Sequence, residues 1–116
     1  MTKVIIKLES DAIVGINISG HADYDEHGYD IVCSGISVLG QTAIVSLYEV
    51  AHIEDLVYEI QDGYIDIKLP IDINEEKLGT SQIIFKTIIR GLEGIKEAYP
   101  EYIEVYEEEV QGYVKI

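Results

Sequence analysis

Apolar residues recur along this chain in two rhythms, one suited to strands and one to helices. Residues 3–9 and 12–19 are rich in Ile and Val and alternate partly with polar positions, which predicts two strands joined by a turn at Glu9, Ser10 and Asp11. Residues 56–60 and 64–69 predict a second hairpin more clearly, because Gln61, Asp62 and Gly63 lie between them and Asp-Gly supplies the positive backbone dihedrals of a tight turn. A third pair, residues 102–107 and 110–114, would turn at Glu108 and Glu109. Between the hairpins the period lengthens. From about Asp30 to Ala51, the residues Val32, Ile36, Leu39, Ala43, Leu47 and Val50 recur every three or four positions and predict a first helix. A second is predicted over residues 75–98, with Phe85, Ile88, Leu92, Ile95 and Tyr99 on its stripe and Pro100 ending it. Gly91 and Gly94 cost that helix stability, but small residues three apart permit a close backbone approach.

The order hairpin, helix, hairpin, helix, hairpin predicts an α+β fold: two layers, a mainly antiparallel sheet of about six strands in three hairpins, and two helices packed on one face. No proline-rich linker interrupts the chain, and Pro70 and Pro100 fall at element boundaries, so residues 1–116 read as one domain. The first helix is apolar nearly all round. Ile31, Val38, Ile44 and Val45 would face water if only one side met the sheet, so a second layer or a partner subunit is expected against it, which points to a homodimer. No Gly-rich strand-to-helix loop of the nucleotide-binding kind occurs, and no cofactor is expected.

Charge narrows the partners. With 22 acidic and 8 basic side chains the formal net charge is −14, a surface that repels a phosphate backbone and argues against direct nucleic-acid binding. The same field draws in cationic partners, of which ribosomal proteins are an extreme case; the plainer explanation is solubility alone. No stretch approaches the roughly 20 apolar residues of a membrane span, and Met1-Thr2-Lys3 runs straight into Val4-Ile5-Ile6 without the regions of a signal peptide. No membrane association and a cytoplasmic location are therefore expected. The lone Cys33 cannot form an intramolecular disulfide, which leaves packing, metal ligation or a reactive thiol.

Chemistry concentrates between Gly20 and Ser37, where the second strand gives way to the first helix across about ten polar, glycine-bounded residues. His21 stands at the strand exit, and Cys33 falls in the first turn of a helix that Asp30 would cap. A first-turn cysteine meets the positive end of the helix dipole, which favours thiolate over thiol. An imidazole within reach could complete a nucleophile, with His21 the candidate. The backbone N–H groups of Cys33 and Ser34 could serve as an oxyanion hole, and Ser37, one turn on, could hydrogen-bond near the site. Against this, a first-turn cysteine beside Ile31 and Val32 is often simply core. A zinc centre would need His21, His27 and Cys33 to converge with a fourth ligand at spacings unlike the common zinc patterns, so no metal is expected. His52, at the helix end, is expected to meet the last carbonyls there. Asp23, Asp25 and Glu26 read most simply as a solvated loop, with a basic stretch of substrate as the functional alternative.

The run Gly-His-Ala-x-Tyr, then Gly-x-Asp-Ile-Val-Cys, then a small residue and Ile-Ser, read from Gly20 to Ser37, closely resembles the signature of the bacterial ribosomal-processing cysteine protease family. Tyr99-Pro100-Glu101-Tyr102 also resembles that family, and the likeness spans essentially the whole chain. The resemblance implies a homodimeric endopeptidase that removes a short N-terminal extension from a large-subunit ribosomal protein. It matches His21 and Cys33 to the family's dyad and Asp30 to its acidic position before the nucleophile, in an orienting or a capping role. Ala22, Asp23, Tyr24, Gly28 and Tyr29 fall in what resembles the family's mobile loop over the cleft, expected to order around substrate. Ser34-Gly35 departs from the alanine-rich pair common after the family's cysteine, which bears on the oxyanion hole. Two other readings compete: a non-enzymatic acidic adaptor that binds ribosomal proteins, and a redox-sensing thiol.

Overall fold

The structure, a computed structural model, describes residues 1–112. The first hairpin pairs β1 (Thr2–Glu9) with β2 (Ala12–Ser19), and Ser10 and Asp11 turn the corner with φ of 48° and 70°. Two positive dihedrals in a two-residue turn match the right-handed twist of the strands it joins. The second hairpin pairs β3 (Val57–Gln61) with β4 (Tyr64–Lys68) around Asp62 and Gly63, as expected. Between the hairpins runs α1 (Ile31–Glu49), and after them α2 (Glu75–Ala98). Asn74 caps α2 by accepting from the Lys77 N–H at 2.8 Å, and Glu75 and Glu76 complement the dipole there.

Among the described residues the sheet has five strands in the order β3-β4-β2-β1-β5, not six. The last strand, β5 (Ile103–Glu109), does not fold back as a third hairpin but runs parallel to β1 at the sheet edge. The reason is topological. Because β4 is antiparallel to β2 and β2 to β1, a chain that leaves β4 through one helix and crosses the sheet enters the far edge parallel to β1. Thr2 N–H donates to the Tyr102 carbonyl at 3.0 Å and starts the pairing, and Val110 N–H donates to the Leu8 carbonyl at 2.8 Å and ends it. Val110, Gln111 and Gly112 form no strand, and the rest of the expected segment, 113–114, lies outside the described residues.

One sheet face carries Val4, Ile6, Ile16, Ile18, Ile65 and Ile67, all buried under the helices. Val32, Ile36, Ala43 and Leu47 of α1 and Phe85, Ile88 and Leu92 of α2 close this core, each large aliphatic or aromatic side chain contributing roughly 1.5–3 kcal/mol by burial. The helices meet closely at Gly91, where an added Cβ would lie 3.0 Å from a Leu39 methyl; Gly94 has no such neighbour on α1. Ile44 is buried, so it does not share the outer face expected of it, whereas Ile31, Val38 and Val45 remain 60%, 62% and 52% exposed. At 19 residues and a mean hydropathy of 1.6, α1 is long and apolar enough to match a membrane span, contrary to the expectation that no segment is. Here its buried stripe is the centre of the core. The helix ends through backbone: Ala51 N–H donates to the Ser46 carbonyl and Ile53 N–H to that of Leu47, while His52 takes a φ of 56° between them.

Candidate active site

The end of β2, the start of α1 and the β3–β4 turn converge on one groove of about 880 Å³. Its position follows from strand order. Ser19 of β2 pairs with Tyr64 of β4, so the turn at Asp62 and Gly63 lies beside the residues that leave β2. Gly20 N–H then donates to the Gly63 carbonyl at 2.9 Å and extends the ladder by one bond. Both glycines have positive φ, 89° and 68°, and neither has room for a side chain: an added Cβ would stand 2.7 Å from the Met1 carbonyl oxygen at Gly20 and 2.8 Å from His21 Nε2 at Gly63. The imidazole of His21 is thus seated directly against the turn.

Asp30 is the N-cap of α1 and is buried, 6% exposed. Its Oδ1 accepts from Cys33 N–H at 2.8 Å and its Oδ2 from Tyr24 N–H at 3.0 Å, so one carboxylate ties the loop to the helix. Burial by itself pushes this carboxyl up, but N–H groups of Cys33, Tyr24, Asp25 and Val32 favour the charged form and hold it below the ordinary Asp value. The cap aims the third residue of α1 at His21: Cys33 Sγ lies 4.0 Å from His21 Nδ1. Asp62 Oδ2 stands on the other side of the same ring, 3.8 Å from Nε2. A half-buried thiol, an imidazole between thiol and carboxylate, and a helix N-terminus behind the sulfur are the parts of a nucleophile with its base.

The remaining expected site residues divide. Ser37 lines the groove, and its Oγ accepts from Gln41 Nε2 at 3.0 Å. Asp23 and Gly28 also line it, but Ala22 is buried, and Tyr24 packs edge-on to Tyr99 and Tyr102 with ring centroids 5.4 and 5.1 Å away. Tyr29 is 74% exposed and stands outside the groove. The amides read as an oxyanion hole are both engaged: Cys33 N–H by Asp30 Oδ1, and Ser34 N–H by the Asp30 carbonyl at 3.0 Å. A capped helix fills its first-turn donors from its own cap, which the spacing of residues does not reveal. His27 comes near His21 together with Asp62 and not with Cys33. Asp62 had no chemical role in the sequence; its Asp-Gly turn was legible, but not that the turn would abut His21. The groove's apolar walls, Ile18, Ile36, Val38, Ile60 and Ile65, come from four separate elements.

Residues 1–104 match the family described as cysteine protease Prp. The ribosomal processing cysteine protease Prp of Bacillus subtilis is 28% identical over 107 residues, covering 90% of this chain and 96% of that protein. Its namesake from Staphylococcus aureus is 31% identical over 96 residues, covering 80% of this chain and 85% of the relative. The fold matches the crystal structure of S. aureus Prp in complex with a substrate peptide at a TM-score of 0.77 and 23% identity, over 93% of this chain and all (100%) of that one. It likewise matches a Streptococcus mutans protein at a TM-score of 0.75 and 24% identity, over 95% and 96% of the two chains.

Proposed function

This chain belongs to the cysteine protease Prp family of ribosomal processing proteases, and on that premise we propose that it cuts a short N-terminal extension from a large-subunit ribosomal protein with Cys33 as nucleophile and His21 as base. The observation that carries this reading is the 4.0 Å approach of Cys33 Sγ to His21 Nδ1 in an open groove that both residues line. His21 Nδ1 takes the thiol proton, the thiolate attacks the scissile carbonyl, and the same nitrogen returns the proton to the leaving amine. Water then releases the acyl-enzyme. The developing oxyanion is stabilised by the positive end of α1, and it competes with Asp30 for the Cys33 N–H.

Two features support the substrate class. Apolar walls at Ile18, Ile36, Ile60 and Ile65 suit a peptide with hydrophobic side chains, and the net charge of −14, with Asp23 and Asp25 at the groove, suits the basic protein behind it. The S. aureus relative takes a substrate peptide, and the same use of the groove is proposed for this chain. The enzyme works in the cytoplasm, where ribosomal proteins are made. It works as a homodimer, in which a second copy covers the exposed Ile31, Val38 and Val45.

The test incubates wild type, Cys33→Ala and His21→Ala with the full-length ribosomal protein carrying its extension and reads product masses by mass spectrometry. A single truncation by wild type alone is expected. Cleavage by Cys33→Ala, or none by folded wild type that binds the substrate, overturns the reading, the latter in favour of an adaptor.

A further inference from the structure

The side of His21 that faces away from Cys33 is furnished with metal-ligand chemistry. His21, His27 and Asp62 each offer one ligand atom, and the three atoms lie within 4.8 Å of one another. Asp62 Oδ2 is 3.8 Å from His21 Nε2, beyond a hydrogen bond, and the His27 ring stands edge-on to that of His21, centroids 5.9 Å apart at 86°. Zinc binds imidazole and carboxylate at about 2.0–2.2 Å in a tetrahedron, so neighbouring ligand atoms sit roughly 3.3 Å apart. Closing the His21 and Asp62 pair therefore takes about half an ångström. His27 and Asp62 are both exposed, one on the loop and one at the turn, and nothing buried need move to close the set.

We propose that His21, His27 and Asp62 form a site for a divalent transition metal of the zinc kind, and that its occupation switches off the base of the reaction. The site is not a resident cofactor centre. Two imidazoles and one carboxylate are donors zinc accepts, with a fourth position left to water, and a chain of net charge −14 concentrates cations at its surface. The consequence follows from the ring. A neutral imidazole has one N–H and one lone pair; a metal on Nε2 takes the lone pair, so Nδ1, the atom facing Cys33, keeps the proton and cannot accept another. Metal binding and dyad function then exclude each other without any change of fold. The switching consequence rests on the protease reading above; the site itself does not.

The first arm is calorimetric titration of the Cys33→Ala protein with zinc chloride, the thiol being absent so that it cannot supply a ligand. One-to-one binding is expected, weakened tenfold or more by adding His27→Ala or Asp62→Asn. No binding to Cys33→Ala, or binding unchanged by both further substitutions, overturns the site. The second arm measures peptide cleavage under zinc and after chelation. Reversible inhibition of wild type that needs at least tenfold more zinc in His27→Ala is expected, and equal inhibition of the two overturns the switch. Absence of cleavage in zinc-free wild type would fail the protease reading while leaving calorimetry to decide the site.

Discussion

Gly63 and His21 are packed so closely that a methyl group on the glycine would stand 2.8 Å from Nε2 of the imidazole. The relationship joins two distant parts of the chain. The turn of the second hairpin acts as the back wall of the proposed base, and the ring can face Cys33 because that wall carries no side chain. Strand pairing sets the spacing, since β4 holds the turn beside β2 through Ser19 and Tyr64.

Gly63→Ala should therefore impair catalysis more than folding. A carbon contact of ordinary length needs the ring to retreat by somewhat under an ångström, and a 1 Å misplacement of a reacting group costs up to about a hundredfold in rate. The positive φ of 68° adds a backbone cost of about 1–2 kcal/mol. Peptide cleavage should fall about 10- to 100-fold while urea denaturation still shows a cooperative transition. An unchanged rate would mean that the ring does not need this seat.

The two hairpins, the bounds of α2 and the place of Cys33 in the first turn of a helix capped by Asp30 were legible in the sequence because each depends on local signals: turn residues, a 3.6-residue stripe, a cap. What was not legible depends on which strands become neighbours. Parallel pairing of β5 with β1 is set by the α2 crossover, and the approach of Asp62 to His21 by the pairing of β2 with β4. Ile44 was misplaced because an all-apolar helix does not announce which side meets the sheet, and the engaged amides of Cys33 and Ser34 because a cap's hydrogen bonds have no spacing signature.

The helix contact offers a second test, on stability. At Gly91 a methyl group gains about 1 kcal/mol of helix propensity but crowds Leu39 at 3.0 Å, whose terminal carbons can give slightly. Gly91→Ala should change unfolding free energy by less than about 1 kcal/mol, whereas Gly91→Leu should lose roughly 1–3 kcal/mol by overpacking. Gly94→Ala, free of contact with α1, should instead stabilise by up to about 1 kcal/mol. Chemical denaturation of the three variants checks the ordering.

The outer stripe of α1 tests the assembly. Val38 and Val45 lie two turns apart and are 62% and 52% exposed. If a second copy covers them, Val45→Glu places a charge in an apolar contact and should turn a dimer into a monomer by light scattering while leaving the circular dichroism spectrum unchanged. A wild-type protein that is already monomeric at the highest concentration used would exclude this interface.

Stability at acid pH should depend on Asp30. Its folded-state carboxyl titrates below the ordinary value, because the N–H groups around it outweigh burial, so the native state holds the charged form more tightly than the unfolded chain does. A depressed carboxyl contributes stability that is complete above the unfolded value, about 3.9, and is lost as pH falls through the lower folded one. Asp30→Asn keeps a capping oxygen but cannot titrate, so it lacks this component. The stability difference between wild type and Asp30→Asn, measured by urea denaturation, should be constant from pH 7 to about 5 and should shrink or reverse in favour of the variant below about pH 4. Asp30→Ala, which leaves the Cys33 and Tyr24 N–H groups without their acceptor, should lose about 1–2 kcal/mol at neutral pH. A difference between wild type and Asp30→Asn that does not vary with pH would show that the carboxylate works as a neutral cap would, and that its charge contributes nothing to holding Cys33 at the helix start.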